Sequence, residues 1–345
     1  DVKKPAQKED MSLGKIFATV LLPAVIVGIA GWSIPGNIFG SDSTDAFIFA
    51  TIPVIVFYVG LYIRASLEDK KPLVALLSIF AVAILFWAVF KQNGTALTTW
   101  AQYYTDRELP AAIAPTANTL YLAERVVNST DTVTAYDSEF RVVKVDGVEQ
   151  QEIAKPVYFK NLQPQLMPAE GETLYLGNTE LFQSINPLWV IILTPLVVGF
   201  FILLRRRGLE PSTASKIGWG LLISALSTLV MVWAVKICNN GEMKASAWWL
   251  IAGYGVITIG ELMLSPMGLS LVSKVSPKRL TALMMGGWFL STSIGNKLSG
   301  VLASLWDTYE DKSNFFLVNF GLLMFATVIM FIMLRWLNRI IPEQK

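Results

Sequence analysis

The sequence predicts an all-α membrane protein with a small β-containing insertion on one side. Three observations carry this. Hydrophobic residues make up 53% of the chain and the mean hydropathy is +0.51. Charged residues make up 16%, against about 25% in soluble domains. Eight stretches are each long enough to cross a bilayer as a helix. They are apolar in continuous runs, not the alternating runs of a membrane barrel. Helices and closed barrels are the two structures that satisfy their own backbone in lipid, so the spans read as helices.

The eight spans lie at about 14–34, 45–64, 72–92, 187–204, 216–237, 246–272, 281–304 and 314–338. The first is "KIFATVLLPAVIVGIAGW". The second, "AFIFATIPVIVFYVGLYI", is uncharged but interrupted at Ile52-Pro53. Four units follow from the spacing: a pair of spans in 1–71, a third in 72–104, a polar insertion at 105–183, and five spans in 184–345. The start, "DVKKPAQKEDMSLGK", lacks the form of a signal peptide. A first residue of Asp leads us to expect a chain that begins inside a longer protein or has been trimmed.

Lys and Arg favour the cytoplasmic side of short loops. One side carries Lys3, Lys4, Lys8, Lys15, Arg64, Lys70, Lys71, Arg205, Arg206, Arg207, Lys216, Lys274, Lys278, Arg279, Arg335, Arg339 and Lys345. The other side's short loops carry Lys236, Lys244 and Lys312. Both termini are therefore expected in the cytoplasm, with the insertion outside.

Composition also excludes function classes. A net charge of +2 argues against a nucleic-acid partner, and a single cysteine, Cys238, allows no internal disulfide. The absence of histidine removes the common general base and metal ligand. We expect no enzyme, no metal and no bound cofactor.

The insertion reads as β-rich. "SEFRVVKVDGVEQQEI" alternates on either side of Asp146-Gly147, a hairpin signal. "KPVYFKNL" and "ETLYLGN" are expected to be further strands. "AERVV", Ala123 to Val127, is given no chemistry.

A charge near the bilayer centre costs about 2.5–3.5 kcal/mol even on lenient scales, so such residues point to function. Apart from Lys216, Lys236 and Arg335, counted above with the loops, the six later spans contain three: Lys91, Glu261 and Lys297. Lys91, at a span end, is either an anchor reaching for water or a pathway residue. At about 1.5 Å per residue, Glu261 lies roughly 18 Å and Lys297 roughly 24 Å from the same membrane face. They are thus expected at similar depth on neighbouring antiparallel helices. One reading is a buried ion pair that holds the helices together. The other is a polar cavity, with Glu261 as a substrate or proton site and Lys297 as its partner. The second is preferred, because small residues associate helices at lower cost. Pro266, close behind Glu261, is expected to bend its helix. Asn186-Pro187 reads as an N-cap followed by proline at N1, compatible with substrate contact. Trp32, Trp100, Trp306 and Trp336, near span ends, are expected as interface anchors. By composition, Trp87 and Trp288 are packing residues.

Four segments carry a family resemblance. "LFWAVFKQNGTALTTWA", "LFQSINPLWVIILTPL", "GELMLSPMGLSLVSKVSP" and "LMMGGWFLSTSIGNKLSG" are similar to the seventh, eighth, tenth and eleventh helices of the proton-dependent oligopeptide transporter (POT/PTR) family of the major facilitator superfamily. They occur in family order and cover 72–104 and 182–341. The first two spans resemble the linker helix pair of bacterial members, and the insertion resembles one in Bacteroidetes members. The resemblance implies the C-terminal six-helix bundle of a major facilitator fold plus linker helices, in a proton-coupled di-/tripeptide symporter of the inner membrane. It implies that Glu261 binds the peptide's amino terminus and Asn186 its backbone. Trp87 and Trp288 would line side-chain pockets, with Ser291 and Thr292 on the face of Trp288. Gln92 and Lys91 occupy a proton or gating position. Many members have an acid where this chain has Lys91, which puts the usual role of that position in doubt. The partners implied are di- and tripeptides, protons, the lipid bilayer and the family's N-terminal six-helix bundle. Without that bundle the chain is not expected to drive uptake, and the proton gradient takes the place of a cofactor. The competing class is a non-transporting receptor or scaffold that displays the insertion.

Overall fold

The computed structural model describes residues 12–341. Lys3, Lys4, Lys8 and Lys345, used above for sidedness, lie outside the described residues. Helix α1 (Leu13–Ile16) runs through a π-helical turn, Phe17–Leu21, into α2 (Leu22–Trp32). Helix α3 (Asp42–Arg64) returns antiparallel to α2. The two approach closely because Gly28 faces Ala50 and Gly31 faces Phe49. Asp45 is fully buried, and its carboxylate accepts the Ile38 and Phe39 N–H groups at 2.7 Å each. That satisfies an otherwise costly buried charge and fixes the α2–α3 turn.

Helix α4 (Leu67–Phe90) leads through a 3-10 turn, Lys91–Gly94, into α5 (Ala96–Tyr103). A short helix, α6 (Ala114–Thr119), lies in the insertion. The remaining long helices are α7 (Glu180–Arg206), α8 (Thr213–Ile237), α9 (Ala247–Val275), α10 (Thr281–Ser304) and α11 (Lys312–Ile340). Seven described helical rods are long and apolar enough to cross a membrane, with Leu67–Tyr103 counted as one. The eighth expected span, α10, is a 24-residue helix of the same bundle that falls short in hydropathy. Its Ser291, Thr292, Ser293, Asn296 and Lys297 explain the shortfall.

The bundle is built from α4 and α7–α11. Helix α8 lies between α9 and α11, α4 packs on α10 and α11, and α7 lies against α9. Its main core includes Leu76, Phe86, Leu221, Leu264 and Leu323. The α2–α3 pair docks on this bundle through Tyr58, whose hydroxyl donates to the Leu283 carbonyl at 2.7 Å. A second core at one end gathers Trp100, Tyr104, Trp306, Phe315 and Phe316. Here Trp100 and Trp306 are buried, not interface anchors, because the insertion covers that end. Trp32 remains exposed.

Three two-stranded pairings lie within the insertion and a fourth joins it to the bundle. Strand β1 (Thr105–Asp106) runs parallel to β8 (Ala245–Ser246), on the α8–α9 loop. Strand β2 (Ala123–Val127) is antiparallel to β7 (Thr173–Gly177), and β3 (Asp131–Thr134) to β6 (Gln151–Ala154). Strands β4 (Lys144–Val145) and β5 (Val148–Glu149) form the hairpin expected around Asp146-Gly147. Asp146 and Gly147 both have positive φ, 49° and 79°, as a tight two-residue turn requires. "KPVYFKNL" is not a strand. Val157–Asn161 is a 3-10 turn, with Tyr158 and Phe159 both buried instead of alternating.

The insertion is seated on the bundle at two places. At the first, Asn161 donates to the Tyr103 and Gly241 carbonyls at 3.1 and 3.0 Å. The Lys244 ammonium lies 4.2 Å from the Tyr158 ring centroid. At the second, Glu139 pairs at 2.7 Å with Lys312, which is 1% exposed. Phe140 enters the aromatic core beside Tyr104. The opposite end of the bundle carries the Arg279–Asp69 pair and Glu210 between Arg205 and Lys216. Those two hydrogen-bonded cations hold the Glu210 carboxyl down to about 2.

Candidate functional site

Helix α9 forms the wall that carries Glu261. It starts at Ser246, whose side chain accepts the Trp248 N–H. Small residues let it approach α8 closely: a Cβ on Gly260 would stand 2.0 Å from Ser224 Oγ and 2.6 Å from the Gly220 carbonyl. Glu261 follows directly, so this crossing sets its position. The helix continues through Pro266 without interruption. Pro266 therefore breaks nothing, although its ring leaves the Leu262 carbonyl without a helical N–H.

Asn186 is not an N-cap. Helix α7 begins at Glu180, nearly two turns earlier, and both Asn186 and Pro187 lie within it. That places the Asn186 amide against α9. Its Nδ2 donates to Glu261 Oε2 at 3.1 Å and to Thr258 Oγ1 at 2.9 Å. The Thr258 hydroxyl in turn donates to the Tyr254 carbonyl at 2.6 Å. The result is an ordered seat: a half-buried carboxylate, one bridging amide and one hydroxyl. Both N–H groups of Asn186 are engaged, while Asn186 Oδ1 and Glu261 Oε1 have no hydrogen-bond partner among the described residues. Two acceptors without partners suit a ligand rich in N–H donors.

Lys91 sits in the 3-10 turn between α4 and α5. Its ammonium lies 5.8 Å from the ring centroids of Trp87 and Phe90 and forms no ion pair with Glu261 among the described residues. Lys297 does not join them. No ion pair links it to Glu261 among the described residues; it points instead toward α3, 5.8 Å from the Phe47 ring centroid. Matching depth along two helix axes leaves their rotation undetermined, and α10 turns this side chain outward.

Gln92 is buried, and its Nε2 donates to the Ser299 carbonyl at 3.1 Å while Oε1 accepts from Thr95 at 2.9 Å. It ties the α4–α5 junction to α10. Trp87 packs over Gly295, and Trp288 over Gly268 and Phe80, both in the seams between helices. The hydroxyls of Ser291 and Thr292 turn back to the Trp288 carbonyl at 2.7 and 3.4 Å. The structure thus brings Asn186 and Glu261 together, sets Lys91 over Trp87, and holds Trp87, Trp288, Ser291 and Thr292 in helix packing. Thr258 is the seat residue that sequence reading missed. Its spacing of three before Glu261, one face of a helix, was the available signal.

Comparison with known proteins places the chain among similar transporters. The model of the family described as POT family matches residues 169–319. A di-/tripeptide transporter of Lactococcus lactis is 24% identical over 311 residues, covering 88% of this chain and 50% of its own length. Dipeptide and tripeptide permease A of Proteus mirabilis is 36% identical over 135 residues, 39% of this chain and 27% of the relative. The chain spans about half the length, or less, of these relatives. A solved POT family transporter in complex with a thioalcohol conjugated peptide superimposes with a TM-score of 0.60 at 19% identity, covering 94% of this chain and 53% of that one. At that identity the likeness shows the fold.

Proposed function

We propose, for a chain that carries the POT family region at residues 169–319, that it supplies the C-terminal-bundle side of the cavity in a proton-coupled di-/tripeptide symporter. The observation that carries this is the Asn186–Glu261 pair, an anionic seat between two membrane helices with acceptors unused among the described residues. The peptide ammonium sits against Glu261 and a peptide N–H against Asn186 Oδ1. Desolvating a carboxylate is costly, and a cationic ligand offsets that cost. Lys91 competes for the same carboxylate when peptide leaves. Gln92 holds the α4–α5 turn, so that Lys91 moves with α10. Trp87 and Trp288, fixed by their glycine contacts, back the side-chain pockets with Ser291 and Thr292. Protons reach Glu261 when it is unliganded. The protein lies in the inner membrane, with the Arg279–Asp69 end cytoplasmic.

Alternating access needs a second bundle to rock against this one. The chain by itself therefore binds peptide without concentrating it; proteoliposomes of these 345 residues that accumulated dipeptide under a proton gradient would refute that. The seat is tested by equilibrium binding of dialanine and its N-acetyl form. Glu261→Gln should weaken dialanine by roughly tenfold, a charge-assisted bond's worth, and leave the N-acetyl form unchanged. Equal binding of both peptides to wild type and variant would remove Glu261 from the site.

A further inference from the structure

We propose that the cleft between α5, the end of α10 and the 140–142 loop of the insertion is a second, outer seat for a short zwitterionic peptide. This rests on the peptide-transport reading above. The cleft has a volume of about 510 Å³, within the usual range for small-ligand sites. Its floor is apolar, from Phe140 and Trp306, and one wall is a polar row that includes Thr98 and Gln102.

Two opposite charges, Arg141 and Asp307, line it with no side-chain ion pair between them among the described residues. Arg141 pairs with Asp137 through Nε at 2.8 Å and donates through Nη1 to the Asp307 carbonyl at 3.3 Å. Nη2 has no partner among the described residues. The Asp307 carboxylate has no hydrogen-bond or ion-pair partner among the described residues, and no contact within 4.0 Å joins it to the guanidinium. A cation and an anion held apart over an apolar floor match the two termini of a free peptide: ammonium to Asp307, carboxylate to Arg141. The wall is preformed. Phe140 is buried with a φ of 60°, a conformation held by the aromatic core and by the neighbouring Glu139–Lys312 pair.

Position supports the assignment. Gly94, the last residue of the Lys91–Gly94 turn, and Thr95, which follows it, line the cleft. Ala303, on the facing helix, lies one turn beyond Ser299, to which Gln92 is bonded. The cleft therefore lies beside the Gln92 tie, on the side of the insertion.

The test uses the full chain in lipid nanodiscs, with dialanine, N-acetyl-dialanine and dialanine amide as probes. In a Glu261→Gln background a residual dialanine site should remain. There, Asp307→Asn should weaken dialanine by roughly two- to fivefold, as for an exposed ion pair, without changing N-acetyl-dialanine. Arg141→Lys should weaken dialanine but not its amide. Asp307→Asn removes no bond seen in the fold, so its melting temperature should match wild type. If Glu261→Gln abolishes all binding, or if neither charge variant changes affinity, the outer seat is refuted and the inner one stands. If wild type binds no dialanine, the peptide reading itself fails and this proposal with it.

Discussion

Alanine at Gly260 would place a methyl carbon 2.6 Å from the Gly220 carbonyl oxygen and 2.0 Å from Ser224 Oγ. The hydroxyl can rotate away. The carbonyl belongs to α8 backbone and cannot. Ordinary contact begins at 3.4 Å, so the α8–α9 seam must open by about 0.8 Å. Overpacking of this kind costs about 1–3 kcal/mol. Glu261 moves with the displaced turn. Its bond from Asn186 is 3.1 Å long, close to the roughly 3.2 Å limit for such bonds, and should break. The assay is thermal unfolding in detergent, followed by tryptophan fluorescence, together with dialanine binding. Gly260→Ala should lower both the melting temperature and the affinity. Adding Ser224→Ala should not rescue either, because the carbonyl contact remains. Gly321→Ala, with no heavy atom within 4 Å, serves as the control and should be neutral or slightly stabilising. If Gly260→Ala melts with Gly321→Ala and binds normally, the close crossing does not set the seat.

Other outcomes follow from the seating of the insertion. Lys312→Met removes the partner of Glu139 and the donor to the Tyr309 carbonyl at 2.7 Å. Breaking a buried pair costs about 3 kcal/mol, so limited proteolysis should cut the insertion faster while the helices stay intact. Burial, then the neighbouring Arg107 charge, push the Lys244 ammonium down to about 7. The unfolded chain keeps that proton up to a pH of about 10.4. It thus binds more protons than the folded chain between these values, and stability should rise with pH across that window. Melting temperatures measured from pH 7 to pH 10 should show the rise, and Lys244→Met should flatten it.

The helical membrane fold and the acid of the candidate site were legible in sequence for the same reason. A charge in an apolar run is costly anywhere in the membrane, so Glu261 stood out without knowledge of its neighbours. The hairpin at Asp146-Gly147 was equally readable, because its turn depends on two adjacent residues. What failed needed rotation or long-range context. Depth placed Lys297 level with Glu261, but only the packed bundle shows it turned toward Phe47. Asn186-Pro187 mimics a helix start, yet α7 begins at Glu180, which frees the Asn186 side chain for α9. Trp100 and Trp306 sit near span ends, where tryptophan normally meets lipid headgroups; the insertion folds back over that end and buries them. Tyr158 and Phe159 looked strand-like until the tertiary seat for the 3-10 turn, Asn161 on Tyr103 and Gly241, was visible.

The most direct test of the central claim is peptide-dependent proton movement in a full-length protein that contains this bundle and a facing one. Reconstituted into liposomes with an internal pH dye, it should acidify the lumen when dialanine is added outside, and Glu261→Gln should abolish that signal while the protein remains folded. Coupled proton and peptide entry at the wild-type rate in Glu261→Gln would contradict the account.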